Sequence, residues 1–191
     1  MSSSFFAMLS RMKYISRWSL MRNVERESLS EHSMETAVIA HALAVLRNTR
    51  FGGNVDADRV ALLALFHDIT ETLTGDMPTP VKYTSPQMRA AYGEVERSAS
   101  QRLILMLPED LRGTYTELIC QDEQTEEHRL VKAADRLSAL IKCIEERKAG
   151  NRDFAFAEKS TLDAIVAMDM PETQVFIEEF LPAYSLTLDE L

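Results

Sequence analysis

Cysteine is scarce in this chain. There are two in 191 residues, Cys120 and Cys143, both inside helical patterns and in no metal-binding spacing. That excludes a disulfide-stapled secreted fold and predicts reduced core thiols. Glycine and proline number six each, too few for a linker-rich or disordered chain. No apolar run is long enough to span a bilayer, and no small-residue cleavage site follows the basic start. Neither membrane insertion nor secretion is expected, and the expected compartment is the cytoplasm. Positive charge is in deficit, with 21 Lys and Arg against 30 Asp and Glu, a net of −9. A duplex nucleic-acid binder needs a basic footprint, so that partner class is set aside. Alternating strand patterns, internal repeats and low-complexity blocks are missing as well.

What is present is helical. Hydrophobic residues make up 46%, enough for one buried core, and they recur at helix spacing. The expectation is an all-α fold, a compact helical bundle forming a single domain over 1–191. "FFAMLSRMKYISRW" places Phe5, Met8, Leu9, Met12 and Ile15 on one face. In "ESLSEHSMETAVIAHALAVLRN", Ser28 and Glu31 fit a capping box, with Ser30 as a rival cap. "DADRVALLALFHDITETLTG" reads as one helix with a stripe of Leu62, Phe66, Ile69 and Leu73, ending near Gly75. "GDMPTP" reads as a rigid loop. Further helices are predicted at about 86–107, 109–120, 126–148, 152–168 and 171–181, with a proline in the first turn of "MLPEDL" and "DMPETQ". Apolar residues such as Phe154, Phe156, Phe176, Ile177 and Phe180 exceed the needs of a small core and suggest a homodimer. Charge is uneven. Residues 1–24 carry Arg11, Lys13, Arg17 and Arg22 and no acid. A transit peptide is the lesser reading of this basic start; the favoured one is the place where an anionic ligand would find positive partners.

The chemistry centres on "LFHDITE". At about 100° per residue, His67, Glu71 and Asp68 share the face opposite the Leu62 stripe. Ala61 and Ala64 lie on that same side and would admit another helix closely. A solvated face usually mixes both signs, yet residues 60–75 contain no Lys or Arg. A divalent cation would supply the missing charge, and imidazole plus carboxylate suits a borderline transition metal. Of the four histidines, His41 falls beside Val38, Ala42 and Val45 and reads as a core or interface residue. His128 in "TEEHRLVK" reads as solvated. His32, at a helix start, is the best partner for His67. A further carboxylate is available at Asp135 in "LVKAADRLSALIKCIEE", although it lies beside the Leu130, Ala134, Leu137, Ile141 and Ile144 stripe and periodicity alone does not select it.

In order, these residues resemble the H…HD…D motif of the HD-domain metal phosphohydrolases, which are all-α. The sequence is more similar still to the bacterial 5′-deoxynucleotidases. That likeness runs through "SRWSLMRNVERESLSEHS", "FGGNV", "LLALFHDITETLTGDMPTPVKY" and "VKAADRLSALIKCIEE", with the tail "YSLTLDEL". The resemblance implies hydrolysis of deoxyribonucleoside 5′-monophosphates with one divalent metal ion, such as Co²⁺, Mn²⁺ or Zn²⁺. It puts metal ligands at His32, His67, Asp68 and Asp135 and a catalytic glutamate at Glu71. The phosphate-orienting arginine falls on Arg17, its neighbouring tryptophan on Trp18, and the sugar-contacting loop on Asp76, Met77, Pro78 and Thr79. His32, Asp68 and Asp135 would also face the substrate. No base-reading set is recognisable, so tolerance of the base is expected. Two rival readings are another HD phosphohydrolase, acting on cyclic nucleotides or guanosine polyphosphates, and a non-catalytic nucleotide sensor. Two-metal HD phosphodiesterases use further histidines downstream, and only His128 follows His67.

Overall fold

The computed structural model describes residues 2–82 and 84–191. Helix α1 (Phe5–Leu9) runs into a 3-10 turn at Ser10–Tyr14. An irregular segment then leads to α2 (Leu29–Phe51). The capping box is formed: Glu31 N–H donates to Ser28 Oγ at 3.3 Å and Ser28 N–H donates to Glu31 Oε2 at 2.7 Å. Ser28, not Ser30, is therefore the cap. Gly52, at φ 69°, ends α2 in the left-handed region that a side chain would resist. Asp56 caps α3 (Ala57–Phe66). Two short helical turns follow, α4 (Glu71–Thr74) and α5 (Thr79–Lys82), and then the longer α6 (Pro86–Leu105), α7 (Glu109–Ile119), α8 (Glu126–Lys148), α9 (Ala155–Val166) and α10 (Pro171–Glu179). Among the described residues the only β feature is an isolated bridge between Ser16 and Ser28.

Helices α2, α3 and α8 pack on one another and form the frame. Leu43, Val60, Leu63, Leu130, Leu137 and Ile141 fill the space between them. Each such side chain contributes about 1.5–3 kcal/mol relative to leaving it in water. Ala40, Ala44, Ala64, Ala133 and Ala134 are fully buried at the contacts, and their small size brings the backbones close. A second cluster of Phe5, Ile69, Leu103, Leu107 and Ile119 seats the N-terminal turn against α6 and α7.

Several expectations are corrected by this packing. The predicted single helix over 57–74 is interrupted: α3 stops at Phe66, and residues 67–70 form a turn before α4. The buried stripe of α3 is Val60, Leu63 and Ala64, continued by His67, while Leu62 is exposed. The rigid loop at "GDMPTP" is shorter than expected, because Thr79 already begins α5. Pro171 opens α10, but Pro108 stands one place earlier, at the cap of α7. Cys143 is a core thiol, whereas Cys120 is exposed. Phe154 and Phe176 are buried within the chain and leave Phe156 and Phe180 exposed.

The segment before α2 is tied to α8 by a buried ion pair. Glu146 accepts from Lys142 Nζ at 2.6 Å, from Val24 N–H at 2.9 Å and from Asn151 Nδ2 at 2.7 Å. Lys142 in turn donates to the Glu25 carbonyl at 2.6 Å. Burial pushes the Glu146 carboxyl up, but these donors outweigh it and hold the group at about 2. A depressed folded-state value stabilises above the ordinary carboxyl pKa and is lost as pH falls toward about 2. The clamp should therefore supply roughly 3 kcal/mol at neutral pH that disappears in acid. In Glu146→Gln the expected result is lower stability at pH 7 and a flatter acid limb in urea melts. Parallel curves for both proteins would rule the clamp out.

Candidate metal-centred active site

Three helices bring the H…HD…D set to one point. The capping box fixes the first turn of α2 and so aims His32, which is fully buried, toward α8. The end of α3 presents His67, whose Nδ1 lies 2.6 Å from the Ala64 carbonyl. That carbonyl can only accept, so Nδ1 carries the hydrogen and Nε2 faces the cluster. Asp68 follows in the same turn, and Asp135 comes from the middle of α8. His32 Nε2 stands 3.2 Å from Asp135 Oδ1 and 3.5 Å from Asp68 Oδ2. His67 Nε2 is 3.0 Å from Asp68 Oδ2 and 3.8 Å from Asp135 Oδ1. One donor atom from each of the four residues lies within 4.8 Å of the others.

These residues fit a divalent cation. His67 Nε2 is buried and, among the described residues, has no hydrogen-bond partner despite its proximity to both carboxylates. It points between them. Two imidazoles and two carboxylates with separations near 3 Å suit neighbouring ligands of an ion held at about 2.1 Å. The electrostatics agree. Burial opposes charge on His67, yet Asp68 and Asp135 more than offset it and push its pKa up to about 10. Burial likewise opposes charge on Asp68 and Asp135, but the imidazoles hold both well below the ordinary carboxyl range. Without an ion, the site keeps a proton where a cation belongs. Behind His32, Nδ1 lies 3.0 Å from Ser138 Oγ, and Ser138 donates to Glu35 Oε2 at 2.6 Å. Ser138's single hydrogen is thus committed to Glu35, and its oxygen accepts from His32. This fixes the tautomer with Nε2 free.

The rim is made of short elements. Glu71, at the start of α4, has a buried Oε2 with no partner among the described residues. Burial first, then Asp68 and Asp76, push its carboxyl up to about 9. Arg17 Nη1 and Trp18 Nε1 both donate to Glu27 Oε2, each at 3.0 Å. Burial opposes the Arg17 charge, but Glu27, Asp135, Asp68 and Asp76 raise its pKa regardless, which places the guanidinium in the field of the metal cluster. Trp18 sits at φ 58°, an uncommon conformation for a bulky side chain. Its N–H donates to Asp76 Oδ2 at 3.1 Å, and its ring lies 5.3 Å from that of Phe154. This hydrogen bond draws the loop Asp76, Met77, Pro78 and Thr79 toward the Arg17–Trp18 segment.

The structure thus gathers His32, His67, Asp68 and Asp135, with Glu71, Arg17, Trp18 and Asp76 around them. His41 is not a core residue: it is exposed on α2, with Nε2 3.6 Å from Asp58 Oδ1. Nor is His128 solvated. It is half-buried, with Nδ1 unpartnered among the described residues, and burial and Lys132 lower its pKa. Ser138, Glu35 and Glu27 escaped the sequence reading. Ser138 lies one turn beyond Asp135 and Glu35 one turn beyond His32, so helical spacing could have flagged those two. Nothing in "NVERESL" marks Glu27.

An all-helical frame closing on this ligand set is the architecture of an HD-domain phosphohydrolase. One such protein, from Listeria innocua, superposes with a TM-score of 0.83 at 27% identity, covering 95% of this chain and 88% of that one. The HD phosphohydrolase of cyanophage S-2L, bound to dA and one catalytic Zn²⁺, shares the fold with a TM-score of 0.65 at 15% identity, covering 95% of this chain and 99% of its own. The chain belongs to the 5′-deoxynucleotidase YfbR-like family, whose model matches residues 4–184. The 5′-deoxynucleotidases YfbR of Shigella dysenteriae and Escherichia coli are each 48% identical over 190 residues, 99% of this chain and 96% of theirs.

A metal ion can enter only when His67 gives up its proton. Binding of Zn²⁺ or Mn²⁺ to stripped protein at pH 8 should therefore release about one proton per ion. Calorimetry in buffers of different ionisation enthalpy would read it, and a buffer-independent heat would contradict the assignment. Ser138→Ala should weaken metal affinity about tenfold in chelator competition.

Proposed function

We propose that the chain is a metal-dependent 5′-deoxynucleotidase, converting deoxyribonucleoside 5′-monophosphates and water to deoxyribonucleosides and phosphate. The observation that carries this is the cation-seeking set of buried His32 and part-buried His67, Asp68 and Asp135, with Arg17 and Glu71 beside it. The near-full-length likeness to proteins named 5′-deoxynucleotidase supports the substrate. When bound by those four residues, one divalent ion polarises a phosphoryl oxygen and lowers the pKa of water. The chain's own groups do the rest. Arg17 holds non-bridging oxygens of the phosphate and stabilises the charge that develops on them. With the charge of a divalent ion beside it, Glu71 would be ionised and would take the proton of the attacking water. As the bond from phosphorus to the 5′-oxygen breaks, that oxygen needs a proton, and Glu71 is placed to return it. Its unpartnered Oε2 is available for this.

Trp18 forms the wall beside C2′ of the sugar. An apolar wall rejects an added hydroxyl only by steric contact. Asp76 spends one oxygen on the Trp18 backbone and keeps the other for the 3′-hydroxyl, while Met77, Pro78 and Thr79 carry the loop past the sugar. His32, Asp68 and Asp135 face the phosphate from the metal side. We read residues 1–191 as one HD-type domain, cytoplasmic and homodimeric. Support for the dimer comes from exposed Met34, Val38 and Val45 on α2 and Leu62 and Leu65 on α3, and less from the phenylalanines.

The test is phosphate release from dAMP and AMP by stripped protein, alone and with Mn²⁺, Co²⁺, Zn²⁺ or Mg²⁺. Metal-dependent release favouring dAMP is expected, and silence with every ion would end this reading. Glu71→Ala should keep its metal yet lose about 10²–10⁴ in kcat. Trp18→Ala should narrow the preference for dAMP over AMP; an unchanged ratio would remove the wall from the scheme.

Stability gives a second readout on Glu71. Its folded-state pKa is raised, so the metal-free fold takes up a proton and loses stability as pH climbs from the ordinary carboxyl range toward about 9. Glu71→Gln mimics the protonated form. In the absence of metal it should be more stable than wild type at pH 8, with the difference closing by about pH 4.5.

A further inference from the structure

Glu27 is the one carboxylate at the rim with no part in the scheme above, and its contacts are specific. Its Oε2 receives two hydrogen bonds from adjacent residues, Arg17 Nη1 and Trp18 Nε1, both at 3.0 Å. Adjacent side chains of an extended segment point to opposite sides. Here the left-handed backbone at Trp18 turns the indole to the same side as the guanidinium. The backbone pairing between Arg17 N–H and the Glu27 carbonyl, at 3.0 Å, keeps the carboxylate level with both donors. Glu27 Oε1 also stands 4.0 Å from His32 Nδ1, so one side chain borders both the metal cluster and the substrate wall.

We infer that Glu27 is a positioning residue that presents Arg17 and Trp18 as one unit and thereby sets the preference for deoxyribose. The physical reason is the indole's asymmetry. Its N–H can only donate, and the ring edge that carries it is held on Glu27 Oε2. The opposite edge is consequently fixed as well. A ring flip would leave the N–H without its acceptor in a part-buried site. Glu27 also occupies only one of the five guanidinium donors of Arg17 and leaves the others for phosphate. Removing the carboxylate would free both side chains together while sparing the backbone pairing, which does not depend on it.

This inference rests on the sugar and phosphate roles proposed for Trp18 and Arg17, and the experiment separates the two. Trp18 is the sole tryptophan of the chain, so intrinsic fluorescence reports its setting without any substrate. Wild type, Glu27→Ala and Glu27→Gln would be compared with metal bound, metal content and melting temperature being measured on each. Glutamine keeps an acceptor oxygen and serves as the conservative rescue. In Glu27→Ala the expected results are a shifted emission with greater acrylamide quenching, a higher KM for dAMP and about a tenfold fall in the dAMP-to-AMP ratio of kcat/KM. Glu27→Gln should stay within about threefold of wild type in that ratio. Unaltered fluorescence and an unaltered ratio in metal-loaded Glu27→Ala would overturn the inference. So would altered fluorescence with an unaltered ratio, because the indole would then move without consequence for the sugar. If wild type itself fails to distinguish dAMP from AMP, the parent reading of Trp18 fails, and Glu27 loses its specificity role with it. A protein that loses its metal or melts early as Glu27→Ala, but whose Glu27→Gln counterpart keeps both and still loses the ratio, would also count against positioning.

Discussion

Asp68 and Asp135 are held against two imidazoles at the meeting of α2, α3 and α8. Little of the surrounding structure makes sense without that arrangement. Packing alone would not gather carboxylates in a place where burial works against their charge. The helices must be rigid enough to impose the approach, and the alanines at their contacts allow it. A proton on His67 satisfies the arrangement in part, and a divalent ion satisfies it better. Affinity for metal is therefore stored in the packing of the frame, with Ser138 and Glu35 keeping His32 in the tautomer that an ion requires.

Around this frame, stability and reactivity are divided between different parts of the chain. Glu146 lies buried on α8 against the segment before α2, and Lys142, Val24 and Asn151 all donate to it. Its charge is stabilised. Glu71 is the opposite case, a buried carboxyl facing other acids with one oxygen unpartnered. The first holds a loop in place. The second is kept uncomfortable, as expected of a group whose task is to change protonation state.

Much of this was legible in the sequence where the signal was local. The Ser28–Glu31 box was readable because capping depends on residues three apart, and α8 was placed at 126–148 by its apolar period. The break after Phe66 was not, since Ile69, Leu73 and Glu71 continue a helical spacing through a turn that tertiary contacts unwind. The same error misassigned the stripe: Leu62 looked central only because the helix was taken to be longer than it is. His41 lies outside the core and His128 is half-buried rather than solvated, since a helix facing two neighbours has no single buried side that periodicity can identify. Asp135 needed the family resemblance, because its neighbours on α8 are buried almost all round. Glu27 acts through partners ten and nine residues away across an isolated bridge, and no periodic pattern reports such a contact.

The interruption of α3 separates two kinds of part. His32, His67, Asp68 and Asp135 stand on, or directly at the end of, long helices that the core immobilises. Arg17, Trp18, Glu71 and Asp76 ride on loops and on a four-residue helical turn. Short surface elements tolerate replacement far better than core helices do. A lineage built on this plan can exchange its recognition elements while inheriting the ion-holding frame intact, so divergence in substrate would be written in the segments at 15–28 and 70–79 long before it touched the three helices beneath them.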